Sequence, residues 1–272
     1  MKRIRPFLKW AGNKFRCLDI ILASLPPGNR LIEPFTGSGA VFLNTNYEQY
    51  LLAEENRDLI NLYKYIQKDG DKFIKHCAEL FTSTNNQADC YYELREEFNG
   101  INISRRRAIL FLYLNRHGYN GLCRYNRSGG YNVPFGRYHK PYFPKQELFY
   151  FKDKIKYAHL VQSDFRKTFE LAKAGDVIYC DPPYVPLPTQ TSAFTSYVNK
   201  KFELSDQLEL ADLAEFSAKN GIITIISNHD TEFTRKHYNK AELIPLQVQR
   251  SINCIGSGRQ RANELIAIFH PS

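Results

Sequence analysis

The sequence predicts an α/β protein with a Rossmann-like mixed sheet and an inserted subdomain of helices and a β-hairpin. Short apolar strands alternate with helices at the beginning and at the end of the chain, as they do in βαβ units. A long stretch between these two parts has the apolar spacing of helices instead. A turn-rich stretch follows it and has the pattern of a hairpin.

The first predicted βα unit lies within residues 31–54. Residues 31–33 form a short strand, the sequence PFTGSG at 34–39 turns sharply, and a helix begins over residues 40–44. A second strand covers residues 50–53 and stops at Glu54. Strand and helix alternation on this scale indicates a parallel sheet.

The middle of the chain follows a different pattern. From residue 57 to about residue 114 the apolar residues recur at helical spacing. The sequence RYNRSGGYNV then predicts a hairpin, with the bend at 128–130 between strands at 123–126 and 131–133. Because this pattern interrupts the βα alternation, we interpret it as an inserted subdomain.

The βα pattern returns near Lys145 and continues to the end of the chain. Leu204 begins an amphipathic helix that extends to Ser217, and the last two predicted strands are expected to pair antiparallel. The predicted strands of this part cover residues 159–162, 176–180, 221–227, 243–248 and 264–269. The predicted domains are therefore a catalytic sheet domain, 1–56 plus 146–272, and an inserted recognition domain, 57–145.

Composition limits the classes of protein that the chain can belong to. No apolar run approaches the roughly 18 to 20 residues that span a bilayer, and the basic N-terminus lacks the apolar core of a signal peptide. The six cysteines include no CxxC pair, so neither disulfides nor a zinc site is predicted. We expect a cytoplasmic protein with free thiols and no metal.

Positive charge is concentrated in one part of the chain. The formal net charge is +9, and the stretch from Ser104 to Gln146 contains no aspartate or glutamate. Nine Lys or Arg residues alternate there with nine Phe or Tyr residues, which indicates a nucleic-acid surface. The alternative is that these cations are solvated or pair with acids elsewhere in the chain.

The turn after the first strand has the features of a ligand-binding loop. Gly37 and Gly39 allow a close backbone approach, and the following helix N-terminus favours a negative group. Glu54 at the tip of the next strand can accept hydrogen bonds from ribose hydroxyls. The third glycine of the dinucleotide fingerprint is replaced by Phe42, so NAD and FAD are disfavoured.

The stretch VIYCDPPYVP places a carboxylate, two prolines and an aromatic ring at the end of an apolar strand. Pro182 and Pro183 restrict the backbone and donate no N–H, which leaves carbonyl acceptors beside Asp181. Tyr184 adds a flat face. This rigid set suits a planar ligand that carries an amino group. The alternative is an ordinary strand exit in which Asp181 caps a turn.

The motifs EPFTGSG and DPPY, with FLKWAGNK at the start, resemble those of the amino (N6-adenine) DNA methyltransferases. The segments FLYLNRHGYNGLCRYN, NVPFGRY, KPYFP and ISNHDT extend the resemblance to the Dam-type enzymes that act on GATC, over nearly the whole chain. The resemblance implies a class I methyltransferase sheet. It also implies S-adenosylmethionine (AdoMet) as methyl donor, S-adenosylhomocysteine as product, and double-stranded DNA as partner. We expect a monomer without membrane contact, associated with the nucleoid through DNA.

The resemblance also assigns roles to individual residues. Asp181, Pro182 and Tyr184 are implied as catalytic: the first two accept hydrogen bonds from adenine N6, and the tyrosine stacks on a flipped base. The implied cofactor residues are Trp10, Lys14, Phe35, Gly37, Gly39, Glu54, Asp164, Phe165 and Asp181. The implied DNA-binding residues are Lys9, Tyr119, Asn120, Leu122, Arg124, Pro134 and Tyr138. Arg124 and Leu122 are the expected base readers.

Two positions depart from the Dam pattern, and some alternatives stay open. Glu54 stands where these enzymes usually have Asp, and Asn13 where they have Gly. A restriction-associated methyltransferase with the same target remains an alternative, as does a DNA-binding module without methyl transfer. The basic residues of 250–261 form either a DNA clamp or a solvated hairpin. Six other cations of the basic stretch are expected to bind phosphates or to pack structurally: Arg105, Arg106, Arg107, Arg116, Arg137 and Lys140.

Overall fold

The computed structural model describes residues 3–185, 202–249 and 261–271. Its helices are α1 (Leu18–Ser24), α2 (Ala40–Asn44), α3 (Arg57–Ala78), α4 (Ala88–Gly100), α5 (Arg105–His117), α6 (Lys145–Ile155), α7 (Phe165–Phe169), α8 (Leu204–Lys219) and α9 (Glu232–His237). Its strands are β1 (Arg30–Glu33), β2 (Gln49–Glu54), β3 (Ala158–Gln162), β4 (Val177–Cys180), β5 (Ile223–His229), β6 (Glu242–Gln249) and β7 (Arg261–Phe269).

The strands form one mixed sheet in the order β3-β2-β1-β4-β5-β7-β6. The first five strands of this order are parallel, and β7 pairs antiparallel with both β5 and β6. The predicted α/β fold with a mixed sheet is therefore confirmed. The strand order reverses between β1 and β4, and ligands of open α/β sheets bind at such a switch point, outside the carboxyl ends of the strands.

Two apolar layers cover the two faces of the sheet. Successive side chains of a strand point to opposite faces, so Leu31 packs against α2, α3 and α6, whereas Ile32 packs against α7 and α8. In β4 the same alternation sends Tyr179 to the first layer and Ile178 to the second. The strands β1, β4 and β5 are buried on both faces and mostly apolar, which is why the sequence predicts them well.

The inserted region continues the first apolar layer. Helix α5 packs on α3, and α4 packs on α5; their side chains lie in the same apolar cluster as buried residues of α3 and α6. An antiparallel bridge pairs Tyr125 with Tyr131, and Asn126 N donates to Gly130 O at 2.8 Å, so the predicted hairpin is confirmed. The division of the chain into two domains at residues 56 and 146 stays a prediction.

Some features of the chain fall outside the predictions or outside the described residues. Helices α1, α6 and α9 were not predicted individually. The described cysteines are free thiols. The segment 250–261, for which a clamp or a hairpin was expected, lies almost entirely outside the described residues. None of the helices in the described ranges is long and apolar enough to span a membrane.

Candidate active site

Asp181 follows the last residue of β4 and lies at the carboxyl edge of the sheet, as predicted. Its Oδ1 contacts Lys14 Nζ at 2.8 Å and accepts a hydrogen bond from Ser227 Oγ at 3.1 Å. Burial raises the pKa of Asp181 above its ordinary value, and the ammonium and the hydroxyl oppose that rise. Both contacts fall on Oδ1.

Lys14 reaches this carboxylate from the N-terminal segment. Asn13 caps a 3₁₀ turn over Lys14–Arg16 by accepting from Phe15 N, which fixes the direction of the lysine side chain. Lys14 Nζ also donates to Gly12 O at 2.9 Å. Burial alone would lower the pKa of Lys14, but the Asp181 carboxylate raises it above the ordinary value. The lysine is therefore a cation at neutral pH.

Tyr184 completes this part of the site. The Lys14 ammonium lies over its ring at 4.4 Å from the centroid, and the ring contacts His229 edge to face. The hydroxyl of Tyr184 donates to Glu264 Oε2 at 3.0 Å. Because Glu264 lies on β7, the last strand of the chain also orients the tyrosine. The structure thus places Lys14 of the N-terminal segment against Asp181 and Tyr184 of the DPPY stretch.

The glycine turn after β1 contacts the tip of β2. Gly37 has a φ of +48°, and a side chain there would meet the Trp10 indole nitrogen at 3.0 Å. Glu54 accepts hydrogen bonds from Gly37 N at 3.1 Å and Asn56 N at 3.2 Å. Burial raises the pKa of Glu54, and these amides partly offset the effect. Gly39, with a φ of +70°, lies just before α2.

A group of aromatic rings also lies at the carboxyl edge of the sheet. Phe35 and Phe165 are stacked with their centroids 5.6 Å apart, and Phe202 contacts both rings. Asp164 caps α7 by accepting from Arg166 N at 2.8 Å and pairs with the Arg166 side chain at 2.9 Å. The predicted cofactor residues therefore lie along the ends of β1, β2, β3 and β4. Phe202 was not among them.

Lys9 and Tyr138 join the N-terminal segment to the region after the hairpin. The Lys9 ammonium lies over the Tyr138 ring, 3.7 Å from its centroid. Burial and the neighbouring Arg116 lower the pKa of Lys9 to about 8. Asn115 fixes the main chain of this lysine, because it accepts from Lys9 N at 3.0 Å and donates to Lys9 O at 2.7 Å.

A tight turn carries the next group of predicted DNA-binding residues. Asn120 has a φ of 52°, a left-handed conformation that asparagine tolerates, and the turn continues into Leu122. Tyr119 N donates to Pro134 O at 2.8 Å, which ties the turn to the chain after the hairpin. The side chain of Tyr119 is exposed, so it is available to a macromolecular partner.

Arg124 lies on the first arm of the hairpin, next to the bridge between Tyr125 and Tyr131. Its Nε donates to Asn132 Oδ1 at 2.8 Å, and its Nη2 donates to Asn132 O at 3.1 Å. These contacts hold the guanidinium on the exposed surface of the hairpin. The predicted base reader is thus oriented by a residue of the opposite strand, Asn132, that the sequence did not single out.

Three arginines of the basic stretch pair with acids outside it. Arg107 contacts Asp58 at 2.5 Å with both side chains buried. Arg105 pairs with Asp69 at 2.7 Å, and Arg106 pairs with Glu97 at 2.6 Å. For these residues the structural alternative is correct, because the helices that follow β2 supply the counter-charges.

The chain matches the family model of the D12 class N6 adenine-specific DNA methyltransferases over residues 10–252. A parallel sheet with a glycine turn and DPPY at its carboxyl edge agrees with that match. The chain therefore belongs to this family. Its reaction is the methylation of adenine N6 in DNA, and the family implies AdoMet as the methyl donor.

Full-length relatives agree with the family match. The chain is 50% identical over 270 residues to the DNA adenine methylase of Serratia marcescens, which covers 99% of this chain and 100% of that protein. It is 48% identical over 271 residues to the DNA adenine methylases of Salmonella typhi and Escherichia coli (strain K12). Each of those two matches covers 100% of this chain and 97% of the relative.

Proposed function

We propose that the chain methylates adenine in GATC sites of duplex DNA and that the adenine is flipped into the site formed by Asp181, Pro182 and Tyr184. The observation that carries this proposal is the arrangement at Asp181. Lys14 and Ser227 both contact Oδ1, so Oδ2 can accept a hydrogen bond from the adenine amino group. The ammonium favours the ionised carboxylate against the effect of burial on its pKa, and only the ionised form is a pure acceptor.

The chemistry of adenine N6 explains why such acceptors matter. The nitrogen lone pair is delocalised into the ring, so the amino group is a poor nucleophile. Asp181 Oδ2 and the Pro182 carbonyl accept its two hydrogens, which favours a pyramidal nitrogen with a localised lone pair. Positive charge develops on this nitrogen as the methyl group is transferred in line, and preorganised acceptors stabilise it. Tyr184 stacks on the base, which contributes roughly 1–3 kcal/mol.

The glycine turn and its surroundings fit AdoMet. Gly37 packs closely on Trp10, where a side chain would crowd the indole ring. Glu54 lies at the tip of β2, where an acid can bind ribose hydroxyls once its contact with Gly37 N loosens. Phe35 and Phe165, with Asp164 beside them, offer apolar faces and a polar edge for an adenine ring. Trp10, Lys14, Gly39 and Asp181 would complete the cofactor site, and the bound AdoMet would supply the methyl group.

The hairpin region would read the DNA. A guanidinium can donate to guanine O6 and N7 together, and such a contact discriminates by about 1–3 kcal/mol. Arg124, exposed on the hairpin with Leu122 nearby, would make that contact. Tyr119 and Asn120 would lie near the gap left by the flipped base, at an unstacking cost of a few kcal/mol. Lys9, Pro134 and Tyr138 would contact the DNA on the other side of the same turn.

Substitution of Asp181 tests the proposed role. Asp181→Asn preserves shape but removes the negative charge, and we expect the transfer rate at saturating AdoMet to fall about 10²- to 10³-fold. DNA binding, measured by fluorescence anisotropy, should remain nearly unchanged. The matched control is Asp176→Asn, because Asp176 lies at the opposite end of β4 and pairs with Arg30 at 2.6 Å. Comparable rates in the two variants would contradict the proposal.

A further inference from the structure

Two buried side-chain amides form hydrogen bonds with the main chain of the DPPY loop. Asn228 lies on β5 with no exposed surface, and Gln207 lies on α8 and is 3% exposed. Gln207 Nε2 donates to Pro183 O at 2.6 Å. Asn228 Oδ1 accepts from Val185 N at 3.1 Å. The two amides therefore contact the main chain on both sides of Tyr184.

The direction of every hydrogen bond in this network is fixed by the backbone. Asn228 Oδ1 accepts from the amides of Val185 and His229, so the other end of its side chain must be the NH₂ group. That NH₂ donates to Gln207 Oε1 at 2.9 Å and to Tyr238 Oη at 3.0 Å. Gln207 must then present its own NH₂ to Pro183. If the amide of Asn228 or Gln207 were flipped, two donors or two acceptors would face each other.

This arrangement distinguishes the two proline carbonyls. The Pro183 carbonyl accepts from Gln207, whereas the Pro182 carbonyl is the acceptor proposed above for the substrate amino group. His229 Nδ1 also contacts Val185 O at 2.6 Å, which holds the chain after the tyrosine. A fully satisfied buried network of this kind permits one geometry, whereas a partly satisfied one does not.

We propose that Gln207 is a positioning residue for methyl transfer: through Pro183 and Asn228 it sets the placement of the Asp181 carboxylate and the Pro182 carbonyl. The inference rests on the proposed roles of those two acceptors. Gln207 contacts neither of them, and it acts through the backbone of the loop. A misplacement of reacting groups by about 1 Å can lower a rate about 10²-fold, which gives the scale of the effect.

The test compares Gln207→Met with the same substitution at Gln67, a more exposed glutamine elsewhere in the chain. Gln67 on α3 also donates to main-chain carbonyls, those of Ile155 and Ala158, at 2.7 and 2.8 Å, away from the DPPY loop. Single-turnover methyl transfer to a duplex is measured for both variants, with active sites titrated by AdoMet so that misfolded protein is not counted. AdoMet affinity is followed by the fluorescence of Trp10, the one tryptophan of the chain, and DNA affinity by anisotropy.

We expect Gln207→Met to slow transfer about 10- to 100-fold, with both affinities within about threefold of wild type. Gln67→Met should transfer at the wild-type rate. Gln207→Glu keeps the size but sets an oxygen against the Pro183 carbonyl, so it should be slower than Gln207→Met. A wild-type rate in Gln207→Met, an equal loss in Gln67→Met, or a parallel loss of both affinities would overturn the inference. If the wild-type protein itself transfers no methyl group to the duplex, the proposed function is wrong, and the inference that rests on it is wrong as well.

Discussion

Replacing Lys14 with methionine removes the ammonium that contacts the Asp181 carboxylate at 2.8 Å. The side chains are 9% and 20% exposed, so the pair is largely shielded from water. At that distance the gross attraction is about 6 kcal/mol for an effective dielectric constant of about 20. Removing one member of a buried pair costs about 3–5 kcal/mol, because the remaining charge is uncompensated.

The expected effect on the reaction depends on pH. Burial raises the pKa of Asp181, and the Lys14 ammonium opposes that rise. Without the ammonium the carboxyl ionises at a higher pH, so at neutral pH a larger share of it is protonated and cannot act as a pure acceptor. We expect transfer at pH 7 and saturating AdoMet to fall about 10²-fold and to recover as the pH is raised.

The assay is single-turnover transfer of a tritiated methyl group to a duplex between pH 6 and about pH 9. The control is Lys240→Met, which breaks an exposed lysine–glutamate pair, Lys240 with Glu215 at 2.7 Å, far from the site. It should follow the wild-type profile, because exposed pairs contribute little. The reasoning is refuted if Lys14→Met matches wild type, or if its loss is the same at every pH.

Three further predictions concern specificity and stability. Arg124→Ala should reduce discrimination among duplex sequences by about 1–3 kcal/mol, measured as the ratio of transfer rates; a loss of binding uniform across sequences would instead indicate a phosphate contact. Arg107→Ala should lower the free energy of unfolding in urea by about 3–5 kcal/mol, because Asp58 would remain buried without its partner; a change below about 1 kcal/mol would contradict this. Burial raises the pKa of Glu33 from 4.5 to about 8, so the folded state retains a proton that the unfolded chain has released between these values. The free energy of unfolding should therefore fall as the pH rises through that window, by up to about 1.4 kcal/mol per pH unit. Glu33→Gln should reduce this dependence on pH. The prediction fails if urea melts at pH 5.5 and about pH 8 give the same change in the free energy of unfolding for wild type and for Glu33→Gln.

The sheet was predictable because both of its faces are buried. The strands β1, β4 and β5 are short apolar runs with polar residues or turn formers at their ends, a pattern that few other structures share. The short helices α1 and α9 were not predicted, because they have too few residues for a periodic pattern to stand out. Their ends are set by tertiary packing rather than by local sequence.

The contiguous parts of the site were predictable, and its supporting residues were not. DPPY carries its own chemistry, so Asp181 and Tyr184 could be singled out from the sequence. Glu264 and Ser227 could not, since their role depends on β5 lying next to β4 and on β7 lying next to β5 in the sheet. The signal that could have found Ser227 is the polar end of an apolar strand, ISNHDT, which was used only for the family resemblance.

The distribution of charged residues along the chain predicted the charged surface only in part. The acid-free stretch predicted a nucleic-acid surface, but Arg105, Arg106 and Arg107 are paired with acids of α3 and α4. A count of charged residues along the sequence does not reveal such ion pairs, because they form only when the helices pack. Arg124, whose contacts are to the neutral Asn132, keeps its charge available.

The most direct test of the central claim is to find where the methyl group goes. Wild-type protein is incubated with tritiated AdoMet and with duplexes that contain GATC, GATT or fully methylated GATC, and the DNA is digested to nucleosides. The proposed function predicts label in N6-methyladenine from the unmethylated GATC duplex alone. Absence of label from that duplex would contradict the account, and equal label in GATT would contradict the proposed target.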